Sequence, residues 1–547
     1  MGGFKGSVIY QIYPKSFYDS NGDGIGDIQG IIEKLGYIKS LGVDYIWSTP
    51  FFASPLQDNG YDVEDYKRVN PVFGTMADVE ELIAKAKERG IGLMFDMVFN
   101  HTSTQHEWFQ KALSGDETYM DYYIFEDGGA DAPPTNWKSK FGGPAWEYLP
   151  SLGKWYLHLF DASQADLNWK NPKVREELKD VVRFWKEKGV EGFRFDVVNL
   201  ISKPDVFEDD MLGDGRRFYS DGPHVHEFLK ELAADTGLGE LVTVGEMSST
   251  SLENCIRYSN PEERELSMCF QFHHLKVDYK NGDKWELMRA DFQKLKELFE
   301  TWQTGMEKGN GWNALFWCNH DQPRIVSRIG DEKEYWEESA KMLATCIHLL
   351  RGTPYIFQGE EIGMLNPGYG SIEEYRDVES INYYQILLGQ GKTEKEALEV
   401  LRQRSRDNGR SPMQWDSGEH AGFSRGKPWI GIPGNYQYIN VEAQEQDKGS
   451  ILNYYRELVK IRKDYAVVQE GGIQFLYQGQ AEVFAYKRSL GKQELFVLNN
   501  LSGKNITLQE AMPCRGYQRL IGNYSQDRAE SALTVLRPYE SIALFRD

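Results

Sequence analysis

Residues 190–198 read VEGFRFDVV, an apolar run that is interrupted near its end by Arg194 and Asp196. Charged side chains at the end of a buried strand are costly unless they are paired. Seven further runs rich in β-branched and aromatic residues occur along the chain, separated by longer stretches of helical spacing. They begin at Ser7, Val43, Ile91, Leu241, Leu266, Asn313 and Thr353. Eight strands that alternate with helices predict a closed (β/α)8 barrel rather than an open doubly wound sheet.

The remaining segments predict two additions to the barrel. Residues 101–168 are too many for an ordinary loop after the third strand, so we predict an inserted subdomain over the barrel mouth. From residue 467 the pattern changes to short alternating segments that are typical of an antiparallel β-sandwich. The catalytic barrel is therefore assigned to residues 1–100 and 169–466, and a C-terminal β domain to residues 467–547.

Composition excludes several classes of partner. The chain has 547 residues, 62 of them basic and 83 acidic, and a net charge of -21. Nucleic acids and anionic membranes are bound by clustered Lys and Arg, so we expect neither as a partner. No run of about 18 apolar residues occurs, and the five cysteines show no metal-like or CxxC spacing. We expect a soluble, cytoplasmic and monomeric protein with reduced thiols.

Polar residues that end the predicted strands indicate the catalytic site, because a (β/α)8 barrel carries its catalytic groups at the C-terminal ends of its strands. Asp196, Glu246 and Asp321 come from three different strands. One such carboxylate is often only a structural hydrogen-bonding group, but three that converge repel one another, and burial raises the pKa of at least one. A protonated acid beside an ionised carboxylate is what glycosidic cleavage requires. We predict Asp196 as the nucleophile and Glu246 as the general acid/base.

These segments resemble successive signatures of the α-amylase family of glycoside hydrolases, family 13, along nearly the whole chain. The signatures read DMVFNH, QADLN, GFRFDVV, GEM and NHDQPR. QDNGYD (57–62) and RDNGRSPMQWD (406–416) resemble those of its oligo-1,6-glucosidase and α-glucosidase branch. The resemblance implies retention of anomeric configuration, with Asp196 attacking the anomeric carbon and Asp321 stabilising the transition state.

The resemblance also implies how the nonreducing glucose is held. Arg194 would keep Asp196 ionised and oriented. The sugar would be contacted by Asp58, Tyr61, His101, His320 and Arg410. These residues would form a pocket that is closed at one end, which favours removal of a single terminal glucose over cleavage within a polymer.

Residues 19–27, DSNGDGIGD, alternate oxygen-bearing side chains with glycine, as the start of an EF-hand loop does. Gly30 stands where an EF-hand has its bidentate Glu, so a complete EF-hand is not expected, and a plain turn is the alternative. In the family that the chain resembles, this loop holds a structural Ca2+ or Mg2+ ion. The implied ligands are Asp19, Asn21, Asp23, Asp27 and the Ile25 carbonyl. Catalysis would need no cofactor.

Residues 270–279, FQFHHLKVDY, follow the sixth strand and should face the leaving group. The oligo-1,6-glucosidase branch has a segment resembling FQFEHMGLDS, so His273 stands in place of an acidic residue and Lys276 in place of a glycine. Both changes favour an anionic second sugar. The pattern resembles that of trehalose-6-phosphate hydrolases and implies cleavage of trehalose 6-phosphate, a phosphorylated disaccharide. The predicted phosphate ligands are Lys276, His274 and Lys284.

Two other functions stay open at this point. An oligo-1,6-glucosidase or dextran glucosidase would carry the same carboxylates, and that branch also shows Val197 directly after the nucleophile. A noncatalytic carbohydrate-binding or transporter-associated protein on the same fold would lack the carboxylates and carry a membrane span. For Lys276 itself, the simpler explanation is a surface lysine paired with a neighbouring aspartate.

Overall fold

The computed structural model describes residues 3–525 and 532–547. Its centre is a sheet of eight parallel strands, labelled β1 to β8 in chain order. They span Ile9–Ile12, Tyr45–Ser48, Gly92–Met97, Gly192–Phe195, Val242–Met247, Met268–Gln271, Ala314–Leu315 and Thr353–Phe357. Each strand lies within one of the eight apolar runs of the sequence, and the prediction of a (β/α)8 barrel is confirmed.

The eight strands form a closed ring in the order β6-β5-β4-β3-β2-β1-β8-β7. The two end strands meet where Cys269 of β6 forms a parallel bridge with Asn313, the residue before β7. The Cys269 amide also donates to the Trp312 carbonyl at 3.2 Å. Because the strands are parallel, their C-terminal ends lie at one rim of the barrel, and the side chains that end them are brought together there.

Helices follow the strands, and their ends match the sequence signals. Thr75 and Asp78 form a capping box at the start of Met76–Glu88, whose apolar face is buried. Asn171 accepts from the Lys173 amide and caps the next long helix. No helix among the described residues has the length and apolar character needed to span a bilayer. The helices of the barrel span Ile28–Glu33, Leu35–Ser40, Met76–Glu88, Pro172–Glu187, Arg216–Tyr219, Val225–Thr236, Leu252–Ser259, Phe292–Lys308, Ile325–Ile329, Trp336–His348, Val378–Gly389, Glu394–Arg404, Asp407–Arg410, Val441–Gln446, Ile451–Asp464 and Ala466–Glu470.

The segment 101–168 forms a small unit after β3. Its two ends pair with each other, because His101–Ser103 and Gln164–Asp166 form an antiparallel ladder. Its apolar cluster contains Trp137 and Trp146, and it also takes in Tyr219 from the segment after β4. This shared cluster fixes the insertion to the barrel. Its other elements are the helices Glu107–Leu113 and Glu117–Met120 and a sheet of Phe125–Asp127, Lys154–Leu157 and Trp146–Leu149.

The C-terminal region is an antiparallel β domain, as predicted. Lys296, from the helix after β6, is fully buried and donates to the carbonyls of Tyr477 at 2.7 Å and Gln480 at 2.5 Å. These bonds tie the domain to the barrel. A five-stranded sheet consists of Gly472–Leu476, Val483–Leu490, Gln493–Asn500, Ser541–Arg546 and Gln518–Gly522, and a two-stranded sheet of Ile506–Pro513 and Ala532–Leu536.

Candidate active site

A cavity of about 220 Å³ opens at the C-terminal rim of the barrel. Asp196, Glu246 and Asp321 all line it, so the three carboxylates that sequence analysis selected share one cavity. Other lining residues come from the inserted segment, from the segment after β6 and from the long segment after β8. They include Lys140, Phe141, Phe160, Leu275, Lys276, Tyr279, Lys284, Glu379 and Arg406.

Arg194 joins the carboxylates at the floor of the cavity. It lies in β4 opposite Asp96 of β3 and is 1% exposed. Its Nη1 donates to Asp96 Oδ1 at 2.7 Å and to Asp196 Oδ1 at 2.6 Å, and its Nη2 contacts Glu246. One guanidinium therefore contacts both carboxylates that were predicted to act as nucleophile and acid/base. Such a charge-assisted hydrogen bond fixes the orientation of Asp196.

The chain turns sharply directly after Asp196. Val197 has φ 33° and ψ 39°, a left-handed conformation that is strained for a β-branched residue. The turn ends β4 and leads into a single helical turn, so Asp196 lines the cavity instead of continuing the strand. Val197 belongs to the same apolar cluster as Trp146 and Tyr219. Packing against the inserted segment thus holds the strained residue in place.

Asp321 lies among cationic groups. Arg410 Nη2 donates to Asp321 Oδ1 at 2.8 Å, and Arg406 Nη1 lies 3.5 Å from the same oxygen. Burial raises the pKa of Asp321, but the surrounding charges outweigh it and hold that pKa well below its usual range. Burial lowers the pKa of the adjacent His320 to about 3, so this histidine is neutral at neutral pH and the arginines supply the positive charge. An ionised Asp321 suits a transition state with positive charge on the sugar.

The assignment of Arg410 as a sugar ligand is wrong in this structure. Arg410 is fully buried, donates to the His320 carbonyl at 2.8 Å and does not line the cavity. Arg406, one helical turn earlier in the same motif, lines the cavity and donates to Asp58 Oδ1 at 2.8 Å. Its guanidinium also lies 4.6 Å from the ring centre of Phe141 in the inserted segment. The motif RDNGR contains both arginines, and nothing in the sequence tells which one faces the cavity.

Asp58, Tyr61 and His101 line the cavity as predicted, whereas His320 does not. His320 is fully buried and stacks on Tyr61, with ring centres 5.1 Å apart and planes within 3°. The Tyr61 hydroxyl donates to Asp96 Oδ2 at 3.0 Å. The Nε2 atom of His320 lies 3.3 Å from Asp321 Oδ2, so His320 lies behind two residues that line the cavity and reaches a sugar only if one of them moves.

Sequence analysis predicted a raised pKa for at least one of Asp196, Glu246 and Asp321, but the raised carboxyl pKa values lie on Asp58 and Asp96. Burial raises the pKa of Asp58 to about 7 despite the nearby Arg406 and Arg410. Burial likewise raises the pKa of Asp96 to about 7, opposed by Arg194. The site therefore brings together carboxyl groups with raised pKa values, Asp58 and Asp96, and one with a lowered pKa, Asp321.

The predicted phosphate ligands have three different environments. Lys276 is exposed, lines the cavity and has no ion-pair partner within residues 3–525 and 532–547. Lys284 also lines the cavity, but its Nζ lies 2.7 Å from Glu379. His274 is wrongly assigned, because its ring is buried and its Nε2 lies 2.9 Å from the Phe316 carbonyl. Burial lowers the pKa of His274 to about 3, so it carries no charge for an anion.

The structure adds a cationic residue that sequence analysis missed. Lys140 lies in the inserted segment, lines the same cavity and has its Nζ 3.1 Å from Ser248 Oγ. It stands in a stretch rich in glycine, proline and aromatic residues, without a period that would show which way a side chain points. No sequence signal marks it.

The loop 19–27 is held by hydrogen bonds from its own backbone. Asp19 Oδ2 accepts from the Gly24 amide at 2.7 Å, and Asp27 Oδ1 accepts from the Gly30 amide at 2.6 Å and caps a helix. Gly24 has φ 93°, and a Cβ there would lie 1.9 Å from the Lys427 carbonyl, so only glycine fits. In the described part of the chain, no three His, Cys, Asp or Glu side chains are grouped closely enough to hold a metal ion. The predicted set relies additionally on an asparagine and a carbonyl.

Comparison with known proteins agrees with the geometry. Residues 11–471 match the alpha amylase catalytic domain, and residues 483–543 match the alpha-amylase SusG C-terminal domain. The chain is 52% identical to the trehalose-6-phosphate hydrolase of Escherichia coli and 45% identical to the oligo-1,6-glucosidase of Parageobacillus thermoglucosidasius, with 98% of each chain covered. A crystal structure of a mutant of the Bacillus licheniformis trehalose-6-phosphate hydrolase superimposes with a TM-score of 0.96 at 52% identity, covering 100% of both chains.

Proposed function

The chain belongs to the α-amylase family, and from this premise we propose that it is a retaining α-glucosidase that splits trehalose 6-phosphate into glucose and glucose 6-phosphate. One observation carries the proposal: the cavity that contains Asp196, Glu246 and Asp321 also contains the unpaired Lys276. A neutral second sugar gives no role to such a cation, whereas a phosphate does. The similarity to two trehalose-6-phosphate hydrolases points the same way.

The proposed chemistry gives each of the three carboxylates that line the cavity one role. Asp196 attacks the anomeric carbon while Glu246 gives a proton to the leaving oxygen, and glucose 6-phosphate departs. Glucose is then bound covalently to Asp196. Glu246, now ionised, takes a proton from water, which attacks the same carbon and releases glucose with its configuration retained. Asp321 stabilises the positive charge that develops on the sugar ring in both steps.

The nonreducing glucose is held at the closed end of the cavity in this proposal. Tyr61 offers a ring face to the sugar, and the Asp58–Arg406 pair offers hydrogen-bonding groups to its far hydroxyls. His101 completes this side of the pocket. The contact between Asp58 and Arg406 fixes both side chains before substrate arrives, which reduces the entropy lost on binding.

The phosphate is bound at the open end by Lys276. A charge-assisted hydrogen bond contributes about 1.5 to 3 kcal/mol, or roughly 10- to 150-fold in rate or affinity. Lys284 contributes less, because Glu379 already neutralises it. This contribution is large enough to separate a phosphorylated disaccharide from a plain one.

Turnover of trehalose 6-phosphate, trehalose and isomaltose by the purified protein tests the proposal. We expect kcat/KM to be at least tenfold higher for trehalose 6-phosphate than for the two neutral sugars. The second candidate function is that of an oligo-1,6-glucosidase, which the 45% identity to such an enzyme supports. Isomaltose turnover equal to or above that of trehalose 6-phosphate would establish this second function instead.

We also propose that the loop 19–27 holds a structural Ca2+ or Mg2+ ion, and that no cofactor takes part in catalysis. Asp19 and Asp27 are buried, and no lysine or arginine pairs with either among the residues with described positions. Added CaCl2 should raise the Tm of the chelator-treated protein, and Asp23→Ala should abolish that rise. An equal Tm with and without the ion would exclude the site.

We further propose that the protein works as a monomer in the cytoplasm. The catalytic carboxylates and Lys276 line one cavity within a single chain, and Cys255, Cys269, Cys318 and Cys346 are buried thiols outside any disulfide, as expected in a reducing compartment. Light scattering after gel filtration should give a mass near 63.0 kDa. A mass twice as large would exclude the monomer.

A further inference from the structure

Lys140 reaches from the inserted segment across to the end of β5. Its amide donates to the Leu159 carbonyl at 2.9 Å, which fixes its backbone. Its Nζ lies 3.1 Å from the Oγ of Ser248, two residues after Glu246. Asn199 in turn fixes Ser248, accepting from its amide at 2.8 Å and donating to its carbonyl at 2.8 Å. Two anchored segments therefore position the ammonium in the cavity that the catalytic carboxylates line.

The groups that face Lys140 do not neutralise it. Arg216 and Lys276 add positive charge. Asp214 is already paired with Arg216 at 3.2 Å, and Asp166 with Lys203 at 2.8 Å. The Tyr219 ring centre lies 5.5 Å from the ammonium. None of the described carboxylates forms an ion pair with Lys140, so its charge lies in the cavity without a partner.

Burying an ammonium without a counter-charge costs free energy, so burial favours the neutral amine and lowers the pKa of the lysine. Burial, Arg216 and Lys276 lower the pKa of Lys140 to about 7. Asp196 and Glu246 share the cavity, but both contact Arg194. An anion that enters the cavity could form ion pairs with both Lys140 and Lys276.

We propose that Lys140 is a second phosphate ligand, which binds the phosphate together with Lys276. This inference rests on the proposed function. It assigns the inserted segment a part in selecting a phosphorylated sugar, in addition to covering the barrel mouth. A dianion beside Lys140 favours its charged form, so the bound state holds a proton that the free state partly lacks above neutral pH.

The affinity for the phosphate should fall as the pH rises above 7. Below pH 7 Lys140 is protonated with or without phosphate, and affinity does not depend on its titration. Above pH 7 the proton must be taken from solution, so affinity falls by up to about tenfold per pH unit until the pKa of the bound state is reached. The second pKa of a sugar phosphate is about 6, so the phosphate itself stays a dianion over this range.

Inhibition by glucose 6-phosphate, with a p-nitrophenyl α-glucoside as the reporter substrate, tests the inference. The inhibition constant should rise at least several-fold between pH 7.5 and 9.0 in the wild type. In Lys140→Arg, whose charge does not titrate in this range, it should stay constant. Inhibition by glucose serves as the uncharged control. Pronounced pH dependence in Lys140→Arg that is absent from Lys276→Arg would place the proton on Lys276 and overturn the assignment.

A second measurement separates this inference from the proposed function. In Lys140→Met, the ratio of kcat/KM for trehalose 6-phosphate to that for trehalose should fall roughly 10- to 150-fold. If wild type shows no preference for the phosphorylated sugar, the proposed function is wrong. If wild type prefers it and Lys140→Met leaves the ratio unchanged, the proposed function stands and the role of Lys140 is wrong.

Discussion

Replacing Arg406 by methionine should destabilise the protein far more than the loss of one surface charge. The guanidinium donates to Asp377 Oδ1 at 2.5 Å and to Asp58 Oδ1 at 2.8 Å, and it lies 3.5 Å from Asp321. Arg406 is 5% exposed, and Asp377 is fully buried. Methionine fills much of the same volume but leaves Asp58 and Asp377 without their nearest cation.

The magnitude follows from the burial of the pairs. Removing one partner of a buried ion pair costs about 3 to 5 kcal/mol, because the remaining charge is left uncompensated. Burial raises the pKa of Asp377, but Arg406 and Arg410 outweigh it and lower that pKa to about 2, so Asp377 is ionised in the wild type. Arg402→Met is the matched control: Arg402 is partly exposed and pairs with Glu399 at 3.6 Å, a contact worth about 0 to 1 kcal/mol.

The stability lost in Arg406→Met should increase with pH. The folded-state pKa of Asp58 is about 7. Its unfolded value is about 3.9, so stability already falls as pH rises from about 4 to about 7. Without Arg406 the pKa of Asp58 rises further, and the loss continues above pH 7. Urea unfolding at pH 6 and pH 9 should therefore show a larger deficit for Arg406→Met at the higher pH. A deficit equal to that of Arg402→Met, or one that does not change with pH, would refute the reasoning.

Three further predictions follow from the site. Lys276→Gly should lower kcat/KM on trehalose 6-phosphate roughly 10- to 150-fold relative to an aryl α-glucoside, and equal losses on both substrates would contradict its role. Proton NMR of the first turnovers should show α-glucose before mutarotation, since initial β-glucose would exclude a covalent intermediate on Asp196. Val197→Gly should be at least as stable as Val197→Ala by urea unfolding, because glycine relieves about 1 to 3 kcal/mol of backbone strain that alanine keeps. Lower stability of the glycine variant would show that the turn is unstrained.

Most of the site residues that the sequence could predict lie at or after the C-terminal ends of strands. Parallel strands place their terminal side chains at one rim, so Asp196, Glu246 and Asp321 could be brought together from hydrophobic pattern alone. The register of β3 and β4 then sets Arg194 opposite Asp96. These contacts follow from strand geometry, which a period of two describes well.

Beyond the strand ends, the sequence carried less information. His273–Lys276 form one turn of 3-10 helix, so the alternation of β6 no longer tells which side chains face the cavity. This is why the sequence could not tell that His274 is buried whereas Lys276 lines the cavity. Lys140 was missed for a related reason, because its orientation is set by tertiary packing of an irregular segment.

The shared apolar cluster beneath the insertion has a consequence for engineering. Val197 belongs to the same apolar cluster as Trp146 and Tyr219. The inserted segment that covers the cavity therefore also stabilises the bend beside Asp196. Excising residues 101–168 would remove Trp137, Trp146 and the other side chains that the insertion adds to this cluster, and would leave the strained bend with less packing. Reducing the enzyme to its eight strand–helix units should therefore lower its activity, because the insertion that covers the cavity also supports the bend beside the nucleophile.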